Sequence, residues 1–154
     1  MTIISVQSHV SFGHVGNSTA TFVLRCLGHK VSPVHTTLLA HHPGHGGFNG
    51  LIIDGQAIRT VLDGLCNIGL HLKCSALLSG YLGSVETGEA MLNFWQKVGD
   101  ASPGAFYCCN PVLGDKEEGI YVARDLPIFF KECALSHATV VIANTFEAGL
   151  LTGE

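Results

Sequence analysis

The stretch QSHVSFGHVGN at residues 7–17 decides the fold class. It continues the apolar run TIISVQ (2–7) and breaks into glycine and polar residues. Such a change is typical of a buried strand that leads into a loop. NPVLGDKEEGIYV at residues 110–122 has the same form after AFYCC (105–109). Because ligands of open parallel sheets bind at the carboxyl ends of the strands, we predict that both stretches form walls of one site.

The composition limits the class of protein. The chain has 154 residues, of which 47% are hydrophobic and 13% charged, so it suits one globular domain rather than a disordered segment. The net charge is −4 and lysines and arginines are scattered, which argues against nucleic acid and anionic membranes as partners. No apolar run approaches the roughly 20 residues that span a bilayer, and the amino terminus has no secretory signal pattern.

The six cysteines contain no C-x-x-C pair, and Cys108 is adjacent to Cys109 in an apolar run. Neighbouring side chains of a strand face opposite ways, so this spacing favours buried free thiols over disulfides or a zinc site. Free thiols indicate a reducing compartment, and we expect a cytoplasmic protein.

Apolar periodicity predicts strands that alternate with helices. The predicted strands are residues 2–7, 30–36, 51–53, 75–78, 105–109 and 139–142. The predicted helices are residues 17–27, 56–70, 85–98, 124–135 and 145–152, and the first should bury Phe22, Val23, Cys26 and Leu27. This order indicates an α/β fold with a mostly parallel sheet. No strand follows the last helix, which is typical of an interrupted fold.

Two features near the first strand could bind a ligand. Ser8 could hold a polar ligand atom at the strand end, or could cap a local turn. GHVGN (13–17) could present backbone N–H groups to an anion, but it matches neither common phosphate-loop motif and is more typical of a tight strand-to-helix turn. Tyr81, after the strand at 75–78, could stack on a planar ring or belong to the core.

The other candidates are histidines and acids. The segment HHPGHGG (41–47) is rich in glycine, which suits a mobile lid or a solvated loop better than a rigid metal site. Asp115 and Glu147 each follow a strand, beside Asn110 and Asn144, and carboxylates at such places are typical ligands of magnesium with a nucleotide. They could equally be turn or helix-capping acids.

Five blocks together resemble the pyridoxal kinases of the ribokinase-like superfamily. They occur in family order along the whole chain: QSHVSFGHVGNSTATFVLRCLG (7–28), HHPGHGGFNG (41–50), LLSGYLGS (77–84), NPVLGDKEEGIYV (110–122) and NTFEAGLLTG (144–153). The resemblance implies a three-layer α-β-α fold. It also implies transfer of the γ-phosphoryl of ATP to the 5′-hydroxyl of pyridoxal, pyridoxine or pyridoxamine, with Mg²⁺, a monovalent cation and a homodimeric parent enzyme.

The resemblance also assigns residues. The vitamin would be bound by Ser8, Val15, His42, Pro43, Gly44 and Tyr81. ATP would be bound by Asn110, Tyr121, Ile142, Asn144 and Glu147, and the metal by Asp115 and Glu147.

Three positions depart from the family pattern. The family usually has Asp at Asn110, Thr at Pro43 and Pro at Ala143. The glycine-rich turn that carries the family's catalytic base does not occur in residues 1–154. We therefore expect the chain to be the N-terminal part of a single kinase domain, with its base beyond residue 154 and little activity alone.

Two other hypotheses remain open at this point. The chain could be a non-catalytic B6-binding or regulatory module, which Asn110 and Pro43 favour. It could also be a histidine-rich metal-binding protein. For the isolated 154 residues, a half-covered sheet should expose apolar surface and promote self-association.

Overall fold

Six strands form the central sheet of the computed structural model, which describes all residues from Met1 to Glu154. The strands are β1 (Thr2–Phe12), β2 (Lys30–His41), β3 (Gly50–Ile52), β4 (Ala76–Ser79) and β5 (Phe106–Cys109), followed, after a separate hairpin of β6 (Gly114–Asp115) and β7 (Gly119–Ile120), by β8 (Val140–Val141). The sheet order is β3-β2-β1-β4-β5-β8. All neighbours are parallel except β3, which runs antiparallel to β2.

There are five α-helices: α1 (Asn17–Cys26), α2 (Gly55–Asn67), α3 (Val85–Ala101), α4 (Leu126–Phe129) and α5 (Thr145–Thr152). The first four lie between strands, and α5 follows β8. The α4 helix continues into a π turn and a 3-10 turn that end at His137. Side chains cap three of the helix starts, since Asp54, Ser84 and Asn144 each accept a backbone N–H of the first turn. No helix in the chain combines the length and the apolar character that crossing a bilayer requires.

One core cluster of 21 buried residues joins one face of the sheet to α2, α3 and α4. Ile4 and Val6 of β1 belong to it, whereas the alternating Ile3 and Ser5 do not, as the two-residue period of a strand requires. Within this core the Tyr107 hydroxyl lies 2.8 Å from Ser79 Oγ, so its polar atom is satisfied. The predicted α/β class with a mostly parallel sheet is therefore confirmed.

The first strand is longer than its sequence predicts. It continues through residues 8–12, which we predicted to be a loop, because β2 also extends to His41 and pairs with it. The pairing shifts register between Gln7 and His9, where Ser8 of β1 lies opposite two residues of β2, Thr36 and Thr37. The extra residue of this bulge is therefore on β2. The glycines and polar residues of this stretch therefore mark an irregular strand and a short turn rather than a long loop.

The first helix is placed as predicted, but its apolar face is not buried. Phe22 is 69% exposed and Leu27 66%, and Val23 and Cys26 are exposed as well. The helix packs on β1 and β2 through its first turn, and Asn17 is its only buried residue. A helical period identifies an apolar stripe but does not reveal whether another element covers it.

The Asn17 side chain joins β1 to β2 at the bulge. Its Nδ2 lies 3.2 Å from Ser5 O, 3.2 Å from Gln7 O and 3.0 Å from Val34 O. A fourth acceptor, His35 Nδ1, is 3.2 Å away. Burial, together with the nearby His9, lowers the pKa of His35, which keeps this ring neutral and able to accept.

The cysteines are less buried than the sequence predicted. All six cysteines are unpaired, and only Cys74 and Cys109 are buried, whereas we predicted buried thiols throughout.

At the β8 edge, Val140, Val141 and Ile142 are 46%, 45% and 56% exposed. An apolar edge strand offers unpaired backbone groups and side chains to another chain.

Removing the Asn17 amide should destabilise the fold. Asn17→Ala leaves the buried strand carbonyls of Ser5, Gln7 and Val34 without this donor, and we expect a loss of about 1–3 kcal/mol in the free energy of unfolding. Urea denaturation measures this loss. Asn93→Ala is the matched control, because Asn93 is an exposed asparagine of α3, and it should change stability by less than about 0.5 kcal/mol. Equal effects of the two variants would contradict the role of Asn17.

The β8 edge should drive self-association of the chain. A variant with both Val140→Lys and Val141→Lys places charge on the exposed edge and should shift sedimentation velocity toward the monomer. Ile128→Lys replaces an apolar residue of α4 that is 58% exposed and should leave the distribution unchanged. A wild-type chain that sediments as a monomer at every concentration would refute this prediction.

Candidate functional site

A cavity of about 330 Å³ opens at the carboxyl ends of β1, β2, β4 and β5. This is the edge of a parallel sheet where ligands usually bind. Half of its lining residues are hydrophobic, and the others include side chains with hydroxyl, amide, imidazole and carboxylate groups. The lining residues are Gln7, Ser8, Val10, Val15, Gly16, Leu39, His42, Pro43, Phe48, Tyr81, Asn110, Val112, Glu118 and Tyr121.

The segment of β1 at the register shift and the turn before α1 form one wall. Gly16 has φ 54° and ψ −136°, a backbone conformation that essentially only glycine adopts. A Cβ at this position would lie 2.6 Å from Ser8 Oγ and would also overlap the Ser8 carbonyl oxygen. The turn therefore packs directly on Ser8 and fixes where its hydroxyl lies.

The segment after β2 forms a second wall. Residues Pro43–His45 make a single 3-10 turn, and Gly44 N donates to His42 Nδ1 over 3.2 Å. The His45 ring makes edge contacts with Phe12 and His41, at centroid distances of 6.0 and 6.1 Å. These contacts order the segment against the end of β1, although most of its side chains are exposed.

No cluster of three or more histidine, cysteine or acidic side chains in the chain could hold a metal ion. The His41–His45 region therefore offers ring contacts and a capped turn, not a ligand set. The hypothesis of a histidine-rich metal-binding protein receives no support from this geometry.

Tyr81 also lines the cavity and follows directly after β4 and Gly80. Thr36 Oγ1 donates to the Tyr81 carbonyl oxygen over 2.6 Å, which ties this loop to β2. Burial raises the pKa of the Tyr81 phenol, so the ring remains neutral at physiological pH. A neutral, positioned aromatic ring is suited to contact a planar ligand.

The β6–β7 hairpin, which the sequence analysis missed, carries the third wall. Asp115 Oδ1 accepts the backbone N–H groups of Glu117 and Glu118, both over 2.8 Å, and so caps the hairpin turn. Burial raises the pKa of Tyr121, and the negative charges of Glu147, Asp115 and Glu118 raise it further. The hairpin thus brings several carboxylates near the phenol of Tyr121.

Glu147 holds the segment between β5 and the hairpin. It is only 4% exposed, and its two oxygens accept Leu113 N over 3.0 Å and Asn144 N over 2.9 Å. Asn144 completes a capping box with Glu147 and donates its Nδ2 to Gly114 O over 2.9 Å. Both side chains are therefore occupied in positioning the backbone.

The two acids predicted to bind magnesium differ in whether a carboxylate oxygen is free of hydrogen bonds. Asp115 uses only Oδ1 in hydrogen bonds, so Oδ2 could supply the one carboxylate oxygen that magnesium often takes beside phosphates and water. Both oxygens of Glu147 are bonded to backbone amides, so it does not fit a direct metal ligand in this structure. The fit to magnesium rests on Asp115 alone.

The predicted site residues divide into two groups. Those that line the cavity together are Ser8, Val15, His42, Pro43, Tyr81, Asn110 and Tyr121. Those outside its lining are Gly44, Asp115, Ile142, Asn144 and Glu147. The cavity thus gathers most of the predicted vitamin residues, whereas most of the predicted nucleotide and metal residues lie outside it.

Sequence reasoning missed several lining residues: Gln7, Val10, Leu39, Phe48, Val112 and Glu118. Val10 lies in a stretch that we predicted as a loop, and Leu39 lies beyond the predicted end of the second strand. Their pairing with each other was therefore not visible in the sequence. Phe48 belongs to the quoted segment 41–50, and an isolated phenylalanine in a glycine-rich loop was a signal that could have identified it.

The chain is similar to curated pyridoxal kinases. It is 41% identical over 153 residues to Pyridoxal kinase PdxY of Granulibacter bethesdensis and 42% identical over 152 residues to that of Deinococcus radiodurans. These alignments cover 99% of the chain but 54% and 51% of the relatives. The chain therefore spans about half the length of the curated relatives it matches. No protein-family model matches it.

Solved structures give the same result. Pyridoxal kinase from Leishmania donovani in complex with ADP and pyridoxamine superposes with a TM-score of 0.93 at 29% identity, over 99% of this chain and 52% of that one. Pyridoxal kinase of Entamoeba histolytica with PLP superposes with a TM-score of 0.91 at 25% identity, over 99% and 54%. The resemblance predicted from the five sequence blocks is confirmed.

Because Gly16 packs on Ser8, its substitution should destabilise the chain far more than substitution of other glycines. Gly16→Ala adds a steric overlap to an unfavourable backbone conformation, and we expect a loss of about 3 kcal/mol or more in unfolding free energy. Gly28→Ala is the control, because Gly28 also has a positive φ of 83° but has open space around its Cβ position. That variant should lose only the strain of about 1–2 kcal/mol. Equal losses in chemical denaturation would show that Ser8 does not contact the turn.

Proposed function

We propose, from the homology of this chain to pyridoxal kinases over about half of their length, that it forms the vitamin-binding part of a kinase that phosphorylates B6 vitamers. The product of the reaction would be pyridoxal 5′-phosphate or its pyridoxine or pyridoxamine counterpart. ATP would be the phosphoryl donor.

One observation carries this proposal: residues from four of the five matching blocks line a single cavity. Val15 comes from the first block, His42 from the second, Tyr81 from the third and Tyr121 from the fourth. The fifth block supports the cavity from outside, because Glu147 fixes the backbone of Leu113. A volume of about 330 Å³ suits a ligand of one substituted ring.

The side chains of the cavity suggest how the vitamin would be held. The rings and aliphatic groups of Tyr81 and Val15 would contact the pyridine ring, and the Ser8 hydroxyl would bond a polar atom of it. His42, Pro43 and Gly44 would close over the vitamin and exclude water. Pro43 has no hydroxyl or N–H to donate, so this closure would rely on shape rather than on a side-chain hydrogen bond.

The nucleotide would bind beside the vitamin cavity. We propose that Asn110, Tyr121, Ile142 and Asn144 contact ATP, and that Asp115 Oδ2 contributes to a magnesium site. Magnesium bound there would neutralise charge on the phosphates. Glu147 would act through the backbone that it holds. None of the residues in the chain is assigned as the base that accepts the hydroxyl proton.

The proposal also includes the cytoplasmic location and the homodimeric parent enzyme that the resemblance implies. The six unpaired cysteines support a reducing compartment.

A second candidate function is non-catalytic binding of B6 vitamers. Asn110 favours it, because an amide at the position where the family usually has aspartate supplies no negative charge to a cation. In this alternative the cavity would bind the vitamin as a sensor or carrier, and no phosphoryl transfer would occur.

Binding of pyridoxine to the whole chain tests the shared part of both functions. Titration followed by the intrinsic fluorescence of pyridoxine should show saturable binding at one site. Tyr81→Ala should weaken binding about tenfold, because it removes a buried ring contact. Phe22→Ala is the control, since Phe22 is exposed on α1 and does not line the cavity. Absence of saturable binding to the wild-type chain would refute the proposed function.

Turnover distinguishes the two candidates. A fusion of the chain to the C-terminal half of a homologous pyridoxal kinase, incubated with ATP, Mg²⁺ and pyridoxal, should give phosphorylated vitamin under the kinase proposal, because we expect the catalytic base beyond residue 154. Binding without any phosphorylated product would favour the non-catalytic alternative.

A further inference from the structure

The vitamin cavity has a single carboxylate in its wall. Of the 14 lining residues, Glu118 is the only acidic one, and none is lysine or arginine. Asn110, where the family usually has aspartate, is uncharged. Glu118 is therefore the one carboxylate that a ligand in the cavity can contact directly, whereas Asp115 and Glu147 lie outside the lining.

The hairpin turn fixes the backbone of Glu118. Its N–H donates to Asp115 Oδ1 over 2.8 Å, and the next residue, Gly119, has a positive φ of 73° that closes the turn. Glu117 is held by the same Asp115 oxygen over 2.8 Å, yet it does not line the cavity. Two adjacent glutamates with the same capping bond thus differ in whether they face the ligand space.

The Glu118 carboxylate is not neutralised by an ion pair. The one salt bridge in the structure joins Lys97 to Asp63, on α3 and α2. Lys116 lies in the same turn but does not line the cavity. The charge of Glu118 also contributes to the raised pKa of Tyr121, another lining residue, which agrees with its position at this wall.

We propose that Glu118 is a specificity-determining residue that favours the vitamer with an ammonium group over the vitamers with a neutral group at the same ring position. This inference rests on the proposed function and names the substrate preference of that same cavity. Pyridoxamine and pyridoxine have nearly the same shape and differ by an ammonium in place of a hydroxyl. An acidic wall distinguishes them by charge, where apolar contacts could not.

The size of the preference follows from the exposure of Glu118. It is an exposed residue at the cavity rim, so its attraction for an ammonium is screened by water and resembles that of a surface ion pair. We expect a preference of about two- to fivefold in dissociation constant, which should decrease as salt is added.

The test compares the dissociation constants of pyridoxamine and pyridoxine for the full chain at neutral pH and low salt. Glu118→Gln keeps the size of the side chain and removes the charge, so it should weaken pyridoxamine binding about two- to fivefold and leave pyridoxine binding unchanged. Glu118→Lys should reverse the preference. Glu117→Gln removes an equivalent charge from the same turn and should change neither dissociation constant by as much as about twofold.

The outcomes separate this inference from the proposed function. If both vitamers bind the wild-type chain and the two Glu118 variants leave their ratio unchanged, the specificity role is wrong and the binding function stands. If Glu117→Gln changes the ratio as much as Glu118→Gln, the effect comes from the general charge of the hairpin and the assignment to Glu118 is overturned. If neither vitamer binds the wild-type chain, both proposals fail.

Discussion

The site depends on how one buried amide holds two strands at a bulge. Asn17 Nδ2 lies within hydrogen-bond distance of carbonyls from both β1 and β2, next to the register shift at Ser8. Buried backbone carbonyls are costly to leave without a donor, so the amide stabilises this irregular pairing. Because Gly16 precedes Asn17 and packs on Ser8, the same interaction also sets the position of the first cavity wall.

The acidic residues of the chain perform different tasks. Glu147 is buried and bonded to two backbone amides, so it positions the segment that leads to the hairpin. Asp115 caps the hairpin turn through one oxygen and keeps the other free. Glu118 makes no ion pair and reaches the cavity wall. These differences follow from local bonding partners, and residue type alone does not reveal them.

The relation to pyridoxal kinases covers nearly the whole chain and about half of each relative. Within that half, the cavity at the strand ends is assembled, and its walls come from segments as far apart in sequence as Gln7 and Tyr121. The β8 strand at the sheet edge leaves apolar side chains exposed. The chain thus combines an organised ligand cavity on one side with an uncovered apolar edge on another.

The sequence alone determined the order of strands and helices, the parallel α/β class and the residues that carry the resemblance. These features are local: a short apolar run, a helical period and a motif can each be read from neighbouring residues. The five blocks also predicted that Ser8, Tyr81 and Asn110 belong to one site, and all three line the same cavity. Tertiary structure alone decided the length of β1, the exposure of Phe22 on α1 and the bond from Leu113 N to the carboxylate of Glu147. Each of these depends on a partner that is distant in sequence or on the lack of a covering element, and a local pattern contains no information about either.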